Sequence, residues 1–208
     1  MDLPALRHRL SIAPRDAIAA LATSDDALDL NRGPLIPAAV LVPIVHGRQP
    51  GVLLTKRASH LKDHAGQVAF PGGRIDPGDA SVEAAALREA QEEIGLQPGQ
   101  VELAGRLPDY VTGTNYRISP VLALLPDGLV LSPSEDEVEA IFTLPLSVLL
   151  DPAAPERRRA EFRGRTREFW VWPHPDHYVW GATAAILVHL AHRLRAQGFD
   201  QGTGLAAE

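Results

Sequence analysis

The sequence predicts a single α/β domain, because strand-like and helix-like stretches alternate along one chain that is rich enough in apolar residues to form a core. The chain has 208 residues, of which 45% are hydrophobic, and these values fit one globular domain with extensions. Residues 38–45 are almost continuously apolar, as expected of a strand covered on both faces. Leu87, Ala90 and Ile94 instead recur at the spacing of one buried helix face.

The composition excludes several classes of protein. The chain contains no cysteine, so disulfides and thiolate metal sites are excluded. Its formal net charge of -6 argues against bulk binding of nucleic acid, which needs a positive field. No apolar run is as long as a membrane span, and no signal pattern opens the chain, so we expect a cytoplasmic protein that does not enter the membrane. The sequence allows a homodimer.

The predicted domain is flanked by two extensions. Residues 1–30 are expected to form a helical N-terminal extension, with short helices at residues 3–10 and 16–21. The domain is expected to span residues 31–197, and residues 198–208 are expected to be a flexible tail.

The other elements of the domain are predicted from short apolar or alternating runs. Residues 52–55 form the strand that follows residues 38–45, and Pro43 is expected to require a strand end, a bulge or an edge. The remaining predicted elements are strands at residues 101–107, 117–125 and 128–131, a short helix at 144–150, a hairpin at 160–172 and a long helix at 184–194.

The central helix carries a crowded acidic face. Glu89, Glu92 and Glu93 fall within a narrow arc of its surface at about 100° per residue. Like charges at this spacing repel each other by a few tenths of a kcal/mol, and a divalent cation would turn the repulsion into coordination. A solvated acidic surface is the alternative interpretation. Asp79 or Ser81 can serve as the N-cap of this helix.

A glycine-rich loop leads into this helix, and the two together resemble a known family motif. The segment Phe70-Pro71-Gly72-Gly73, followed by R-E-x-x-E-E-x-G from Arg88 to Gly95, resembles the Nudix box of the Nudix hydrolases. The resemblance implies a mixed β-sheet sandwiched between helices. It also implies Mg²⁺ or Mn²⁺ held by Glu89, Glu92, Glu93 and the Gly73 carbonyl, with Arg88 orienting these ligands.

The start of the box departs from the usual pattern, since the spacing from Gly73 to Arg88 is one residue longer and no glutamate stands at the expected place. Either Asp79 substitutes with a shorter reach or Glu83 supplies the acid, and we favour Asp79. Upstream, Arg57 and Lys62 lie among several cations close in sequence to the acidic helix, where phosphates would find partners. A solvated basic loop is the alternative.

The order of residues in this basic segment resembles the signature that precedes the box in the coenzyme A pyrophosphatase subgroup, namely L-L-T-x-R, a later basic residue, a glycine and F-P-G-G. That subgroup also carries the longer box with an aspartate at the place of Asp79. Lys62 stands where the pattern has arginine. The substrate-binding residues predicted from this segment and its surroundings are Arg57, Lys62, Gly66, Arg74 and Tyr116.

Two later features could complete the site. Residues 134–139 form a second acidic cluster, from which Glu137 is the first and Glu135 the second choice for a further metal ligand or base. A merely solubilising acidic turn is equally compatible with this cluster. Tyr110 and Tyr116 could stack on an adenine or line a pantetheine channel, or they could simply close their loop onto the domain.

The resemblance implies hydrolysis of the pyrophosphate of coenzyme A or an acyl derivative, giving 3′,5′-ADP and 4′-phosphopantetheine. Glu93, Glu89 and Glu137 all stay candidates for the base. One alternative is a Nudix pyrophosphatase for another nucleoside diphosphate derivative such as ADP-ribose. Another is a catalytically silent Nudix module that binds a nucleotide.

Overall fold

The computed structural model describes residues 1–11, 34–162 and 165–195. Within these ranges the chain forms helices and strands that we number in order. They are α1 (Leu3–Ser11), β1 (Ile36–His46), β2 (Gly51–Arg57), β3 (Val68–Ala69), β4 (Gly72–Arg74), α2 (Val82–Ile94), β5 (Glu102–Arg106), β6 (Tyr110–Val111), β7 (Tyr116–Pro126), β8 (Val138–Pro145), α3 (Leu146–Leu150), β9 (Glu156–Phe162), β10 (Arg165–Trp172), β11 (Val179–Trp180) and α4 (Gly181–Arg195).

A mixed sheet of eight strands forms the centre of the fold. Its long middle strands β1 and β7 run parallel and pair along their whole length, from Ile36 opposite Tyr116 to His46 opposite Pro126. All other pairs are antiparallel: β2 and β4 lie beside β1, β3 and β8 beside β2, and β5 and β6 beside β7. The strands β9, β10 and β11 form a second, three-stranded antiparallel sheet.

The two faces of the mixed sheet bury separate hydrophobic clusters because successive side chains of a strand point to opposite faces. On β1, Ala39 and Leu41 pack with α2, whereas Val42 and Ile44 pack in the cluster that contains residues of α1, α3 and α4. The predicted arrangement, a mixed sheet sandwiched between helices, is therefore confirmed. Among the described α-helices, α2 packs on one face of the mixed sheet, and α1, α3 and α4 pack on the other.

Pro43 lies inside β1 and does not end the strand, contrary to one expectation from its position. It pairs opposite Ala123 of β7 without a break. On the other side, β1 pairs with β4 up to Val40 and with β2 from Ile44 onward, so residues 41–43 pair with neither strand there. Because Pro43 has no N–H, this change of partner supplies the local edge that proline requires.

One prediction about local structure is wrong. Residues 128–131 are not a strand, because this stretch leads into a loop in which the Ser132 amide donates to the Ile94 carbonyl at 3.0 Å and so completes the end of α2. The predicted buried stripe of α2 is largely confirmed. Ala90 and Ile94 are buried, as are Ala85, Ala86 and Glu93, while Leu87 is half-buried and packs against the same cluster.

The N-terminal extension begins with the predicted helix, and α1 buries Leu6 and Leu10 in the same cluster as α4. The second predicted helix, at residues 16–21, and the predicted tail at 198–208 lie outside the described residues. Among the helices of the described ranges, none is both long and apolar enough to cross a membrane.

Candidate active site

Helix α2 is held at both ends, and this fixes the direction of its acidic face. At its start the Ser81 hydroxyl accepts a hydrogen bond from the Ala84 amide at 3.1 Å, so Ser81 and not Asp79 is the N-cap. At its end Gly95 adopts the left-handed conformation at φ 69°. The Ser134 amide donates to the carbonyl of Glu93 at 2.8 Å, which ties the following acidic loop to the helix.

Glu93 is a buried carboxylate, with a relative exposure of only 4%. Its Oε2 accepts a hydrogen bond from the Gly72 amide at 3.3 Å. Within the described ranges Arg57 is the cation at ion-pair distance, with Nη1 4.0 Å from Oε1. Burial raises the pKa of Glu93 to about 8, and the Gly72 amide and Arg57 offset that effect only in part. This carboxylate therefore lacks the close positive partner that its burial demands.

Arg88 binds the other acidic residues of the cluster. Its guanidinium donates to both carboxylate oxygens of Asp79, at 3.0 Å each, and to Glu89 and Glu92 at 2.9 and 3.1 Å. It also donates to the carbonyl of Arg74 at 3.1 Å. These bonds keep the pKa of Asp79 below its usual range. The repulsion between Glu89 and Glu92 is thus balanced by Arg88, and Glu93 is the member of the acidic face that Arg88 does not bind.

The two candidates for the missing box acid have different surroundings. Asp79 contacts the acidic cluster through Arg88. Glu83 makes two hydrogen bonds of 2.6 Å with the Arg106 guanidinium on β5, which lower its pKa to about 2. Of the two, Asp79 is the one whose contacts join it to the box glutamates.

The second acidic cluster lies close to α2. The negative charge of Glu137 contributes to raising the pKa values of both Glu89 and Glu93, although burial is the largest cause for each. The loop is attached to the end of β2, since the Ala58 amide donates to the Glu137 carbonyl at 2.9 Å. Both Glu137 and Glu135 are exposed. Of the two, Glu137 is the one whose charge acts on Glu89 and Glu93 of the helix.

The side chains around Glu93 fit a hard divalent ion. The donors are carboxylate and carbonyl oxygens, and one of them is the buried Glu93 carboxylate, whose cation within the described ranges is Arg57 at 4.0 Å. No three histidine or acidic side chains within the described ranges converge into a metal-holding group on their own. Mg²⁺ usually takes one or two protein carboxylates and completes its shell with water and substrate phosphate.

A cavity of about 880 Å³ opens beside this cluster. Three of the predicted substrate-binding residues, Arg57, Arg74 and Tyr116, line it together with Gly72 and Gly73. The Arg74 guanidinium donates to the Tyr116 hydroxyl, with Nη2 at 3.0 Å, and lies 5.7 Å from the centre of the Tyr116 ring.

Two other predicted substrate-binding residues do not line this cavity. Lys62 is exposed on the loop between β2 and β3. Gly66 has a left-handed conformation at φ 68°, and its amide donates to the Arg57 carbonyl at 3.2 Å. Gly66 therefore closes the loop that follows Arg57, the last residue of β2.

Sequence reasoning missed the far wall of the cavity. This wall comes from the second sheet and from α4, and its members include Arg157, Arg167, Phe169, Trp170, Trp180 and Ile186. The only signal in the sequence was the alternation of arginines and aromatic residues across the predicted hairpin. Nothing in that pattern says that the hairpin folds over the loop at residues 70–74, which is more than eighty residues away in the chain.

The chain belongs to the Nudix hydrolase family. The family model for the NUDIX domain matches residues 35–164, which lie within the domain we propose at residues 31–197. The members of this family hydrolyse pyrophosphate bonds in nucleoside diphosphate derivatives, and they typically use divalent metals such as Mg²⁺ or Mn²⁺.

Among its relatives is the uncharacterized Nudix hydrolase NudL of Shigella flexneri, which is 47% identical over 164 residues, or 78% of this chain and 85% of that protein. NudL of Escherichia coli is 47% identical over 154 residues, or 74% of this chain and 80% of that protein. Among solved structures, a binary complex of the C. elegans Ap4A hydrolase aligns with a TM-score of 0.45 and 22% identity, covering 53% of this chain and 80% of that chain.

The adjacent glycines of the loop should respond differently to substitution by alanine. A Cβ at Gly72 would lie 2.4 Å from the Ala39 carbonyl oxygen, which is backbone of the central strand. We expect Gly72→Ala to lower the free energy of unfolding by about 1–3 kcal/mol. A Cβ at Gly73 would instead meet the carboxylate of Glu89 at 2.5 Å, and this side chain can move. Gly73→Ala should therefore keep most of the stability but lower kcat about 10- to 100-fold.

Urea denaturation and steady-state hydrolysis, measured on both variants, check this pair of predictions. Equal losses of stability in the two variants would contradict the assignment of Gly73 to the space that Glu89 occupies.

Proposed function

We propose that this protein hydrolyses the pyrophosphate bond of coenzyme A or its acyl derivatives in the presence of Mg²⁺ or Mn²⁺. Water attacks one phosphorus and the bond from that phosphorus to the bridging oxygen breaks, so the products are 3′,5′-ADP and 4′-phosphopantetheine. The observation that carries the proposal is the position of the buried Glu93 carboxylate beside Gly72 and Arg57, two residues that line the cavity, although Glu93 itself does not.

The charge around the cavity supports an anionic substrate. The whole chain has a formal net charge of -6. Within the described ranges, however, four arginines but only two acidic residues line the cavity, namely Arg57, Arg74, Arg157, Arg167, Asp63 and Glu168. A cleft with this local excess of positive charge attracts a diphosphate even though the protein as a whole is acidic.

The metal-binding residues that we propose are Glu89, Glu92, Glu93, Glu137 and the carbonyl of Gly73. A bound ion would polarise the phosphoryl oxygens and lower the pKa of an attached water. The protein itself contributes by fixing the positions of the carboxylates before the ion binds. Arg88 orients Glu89 and Glu92 through direct hydrogen bonds, and such supporting bonds tune metal ligands in general.

The proton of the attacking water needs an acceptor, and Glu93, Glu89 and Glu137 stay candidates for it. Glu93 and Glu89 both have raised pKa values, chiefly because they are buried. A base works best when its pKa lies near the working pH. Glu137 is exposed and could pass a proton directly to bulk water.

The proposed substrate-binding residues are Arg57, Lys62, Gly66, Arg74 and Tyr116, and of these Arg57, Lys62 and Arg74 would hold the phosphates. Arg57 lies between the cavity and Glu93, so its guanidinium can reach a phosphate bound next to the carboxylates. Buried Arg57 Nε has no hydrogen-bond partner among the described residues, and a phosphate oxygen would satisfy this donor.

The choice of coenzyme A over another nucleoside diphosphate derivative is supported by the segment before the box, which includes Arg57 and Gly66. ADP-ribose is the main alternative substrate. A catalytically silent, nucleotide-binding module is the other alternative, and the presence of all three box glutamates argues against it.

Hydrolysis of coenzyme A with and without a chelator tests the proposal. We expect 3′,5′-ADP and 4′-phosphopantetheine to appear together with Mg²⁺ or Mn²⁺, and activity to fall to the uncatalysed background in EDTA, because the carboxylates alone cannot neutralise a diphosphate. ADP-ribose is assayed in parallel with product identification by mass spectrometry. Turnover of ADP-ribose with coenzyme A untouched would reject the proposed substrate, and tight binding of coenzyme A without products would favour the silent module.

A further inference from the structure

The cavity has a polar side and an apolar side. On the polar side are Arg57, Gly72, Gly73, Arg74 and Tyr116, which are partly or fully exposed. The more apolar side is formed by β3, the residue after it, and α4, which also contributes the polar side chains of Thr183 and His189. Its members belong to the hydrophobic core and are each at most 8% exposed: Val68, Phe70, Ala185, Ile186 and Val188. We call these five residues the inner wall.

The second sheet contributes both charged and aromatic side chains to the cavity. Beside Arg157, Arg167 and Glu168, it contributes Phe169, Trp170 and Trp180, and the rings of Phe169 and Trp180 pack edge to face with their centres 5.6 Å apart. The Arg157 guanidinium lies 4.7 Å from the centre of the Trp170 ring, which helps to hold that ring in place. Trp180 is 38% exposed, so it forms an apolar edge where the cavity meets solvent.

The inner wall suits an alkyl group better than the nucleotide end of a substrate. The Thr183 hydroxyl, which also lines the cavity, already donates to the Val68 carbonyl at 2.9 Å. The nucleotide end of coenzyme A would bring ribose oxygens and a further phosphate against these apolar side chains, and burying polar groups without partners is costly. An alkyl chain would gain from the same contact.

The cavity is also large. At about 880 Å³ it lies near the upper end of the range of ligand pockets, which is roughly 300–1,000 Å³. There is thus room for further substrate atoms beyond the diphosphate, and the pantetheine arm would have to lie between the diphosphate and any acyl chain.

We propose that the inner wall, together with Phe169, Trp170 and Trp180, is an acyl-chain subsite that makes acyl-coenzyme A a better substrate than free coenzyme A. This inference rests on the proposed function and deepens it, because it assigns the substrate preference to named residues. Each methylene that enters the subsite should raise kcat/KM about fourfold until the chain fills it. No covalent step is added, since the bond that breaks is still the pyrophosphate bond.

The first measurement is a chain-length series of free, acetyl-, butanoyl- and octanoyl-coenzyme A. In the wild-type protein with Mg²⁺ we expect kcat/KM for octanoyl-coenzyme A to exceed that for coenzyme A by at least about tenfold. Ala185→Phe puts a large ring into the inner wall and should lower this ratio at least about tenfold. Trp180→Ala removes the partly exposed apolar edge and should lower the ratio as well. If Ala185→Phe does not fold, the ratio measured for Trp180→Ala tests the proposed subsite.

The matched control is His192→Phe, which introduces the same ring on an exposed position of α4 that does not line the cavity. It should leave the ratio at the wild-type value. Circular dichroism and thermal melting check that each variant is folded. Titration calorimetry in EDTA, where turnover is blocked, should show tighter binding of octanoyl-coenzyme A than of coenzyme A.

Three outcomes would overturn the inference, and they can be told apart. If coenzyme A is cleaved but the ratio stays near one at all chain lengths, only the acyl subsite is rejected. If Ala185→Phe and Trp180→Ala slow both substrates equally, the cavity holds a part that the two substrates share, such as the nucleotide end. If neither coenzyme A nor any thioester is cleaved, the proposed function fails and this inference fails with it.

Discussion

Replacing Glu93 with glutamine is expected to lower kcat about 10²- to 10⁴-fold while the protein stays folded. Glutamine keeps the shape of the side chain and can still accept the hydrogen bond from the Gly72 amide. It cannot carry the negative charge that would hold a cation or accept a proton. Steady-state hydrolysis of coenzyme A measures the loss, and Gln91→Ala, at an exposed position of the same helix, is the control that should retain wild-type kcat.

The same variant should change how stability depends on pH. The pKa of Glu93 is about 8 in the metal-free folded state, against an ordinary value of 4.5. Between these values the folded protein keeps a proton that the unfolded chain releases, so the stability of the wild type falls as pH rises through this window. Glutamine does not titrate, so Glu93→Gln should be the more stable protein in EDTA above about pH 8, by on the order of 1–4 kcal/mol.

Chemical denaturation in EDTA across this pH range measures the difference. Mg²⁺ should then raise the Tm of the wild type more than that of the variant. A Glu93→Gln protein that is unfolded, or less stable than the wild type at high pH, would instead indicate that the Glu93 carboxylate has a structural role.

Replacing Arg88 with alanine should damage both stability and activity. The guanidinium binds Asp79 through two hydrogen bonds and also binds Glu89, Glu92 and the carbonyl of Arg74. The Asp79 side chain is 7% exposed and that of Arg88 is 30% exposed, so removal of Arg88 leaves a largely covered carboxylate without its partner. We expect a loss in the free energy of unfolding that is larger than for an exposed ion pair, and a fall of about 10- to 100-fold in kcat.

The matched control for Arg88 is Arg106, whose guanidinium also binds an acidic residue of α2. The Arg106–Glu83 pair is more exposed, with side-chain exposures of 42% and 29%, so Arg106→Ala should cost about 1 kcal/mol or less and leave kcat near the wild type. Urea denaturation of both variants gives the comparison.

If Asp79→Asn is then added to Arg88→Ala, it should restore part of the lost stability, because it removes the unpaired charge. Independent, additive losses would show that the two side chains do not act as a pair.

These experiments also distinguish two ways in which the negative charges on the acidic face of α2 can be balanced, namely by a bound cation and by Arg88. The sequence suggested that a cation offsets the repulsion among three glutamates. In the folded protein Arg88 already binds Glu89 and Glu92, and Glu93 is left buried with one amide at 3.3 Å and one guanidinium at 4.0 Å. The negative charge that a bound cation would balance is therefore mainly that of Glu93. For this reason, substitution of Glu93 should have the largest effect on hydrolysis.

Local patterns determined much of this protein in advance. The helix around Glu89, Glu92 and Glu93, its C-terminal glycine and the adjacent glycine pair can all be identified from spacing alone, because a helix repeats every 3.6 residues whatever surrounds it. The α/β class follows from the alternation of apolar runs in the same way. The family could be predicted before the fold was known because these residues resemble the Nudix box.

What only the tertiary structure decided is which distant segments meet. Pro43 can lie in the central strand because β1 changes partner beside it, and residues 128–131 leave the sheet because the following loop caps α2. The cavity joins the loop at residues 70–74 with a hairpin and a helix more than eighty residues later. The physical reason is that packing of distant segments depends on the shapes of both partners, and neither partner carries that information in its own local sequence.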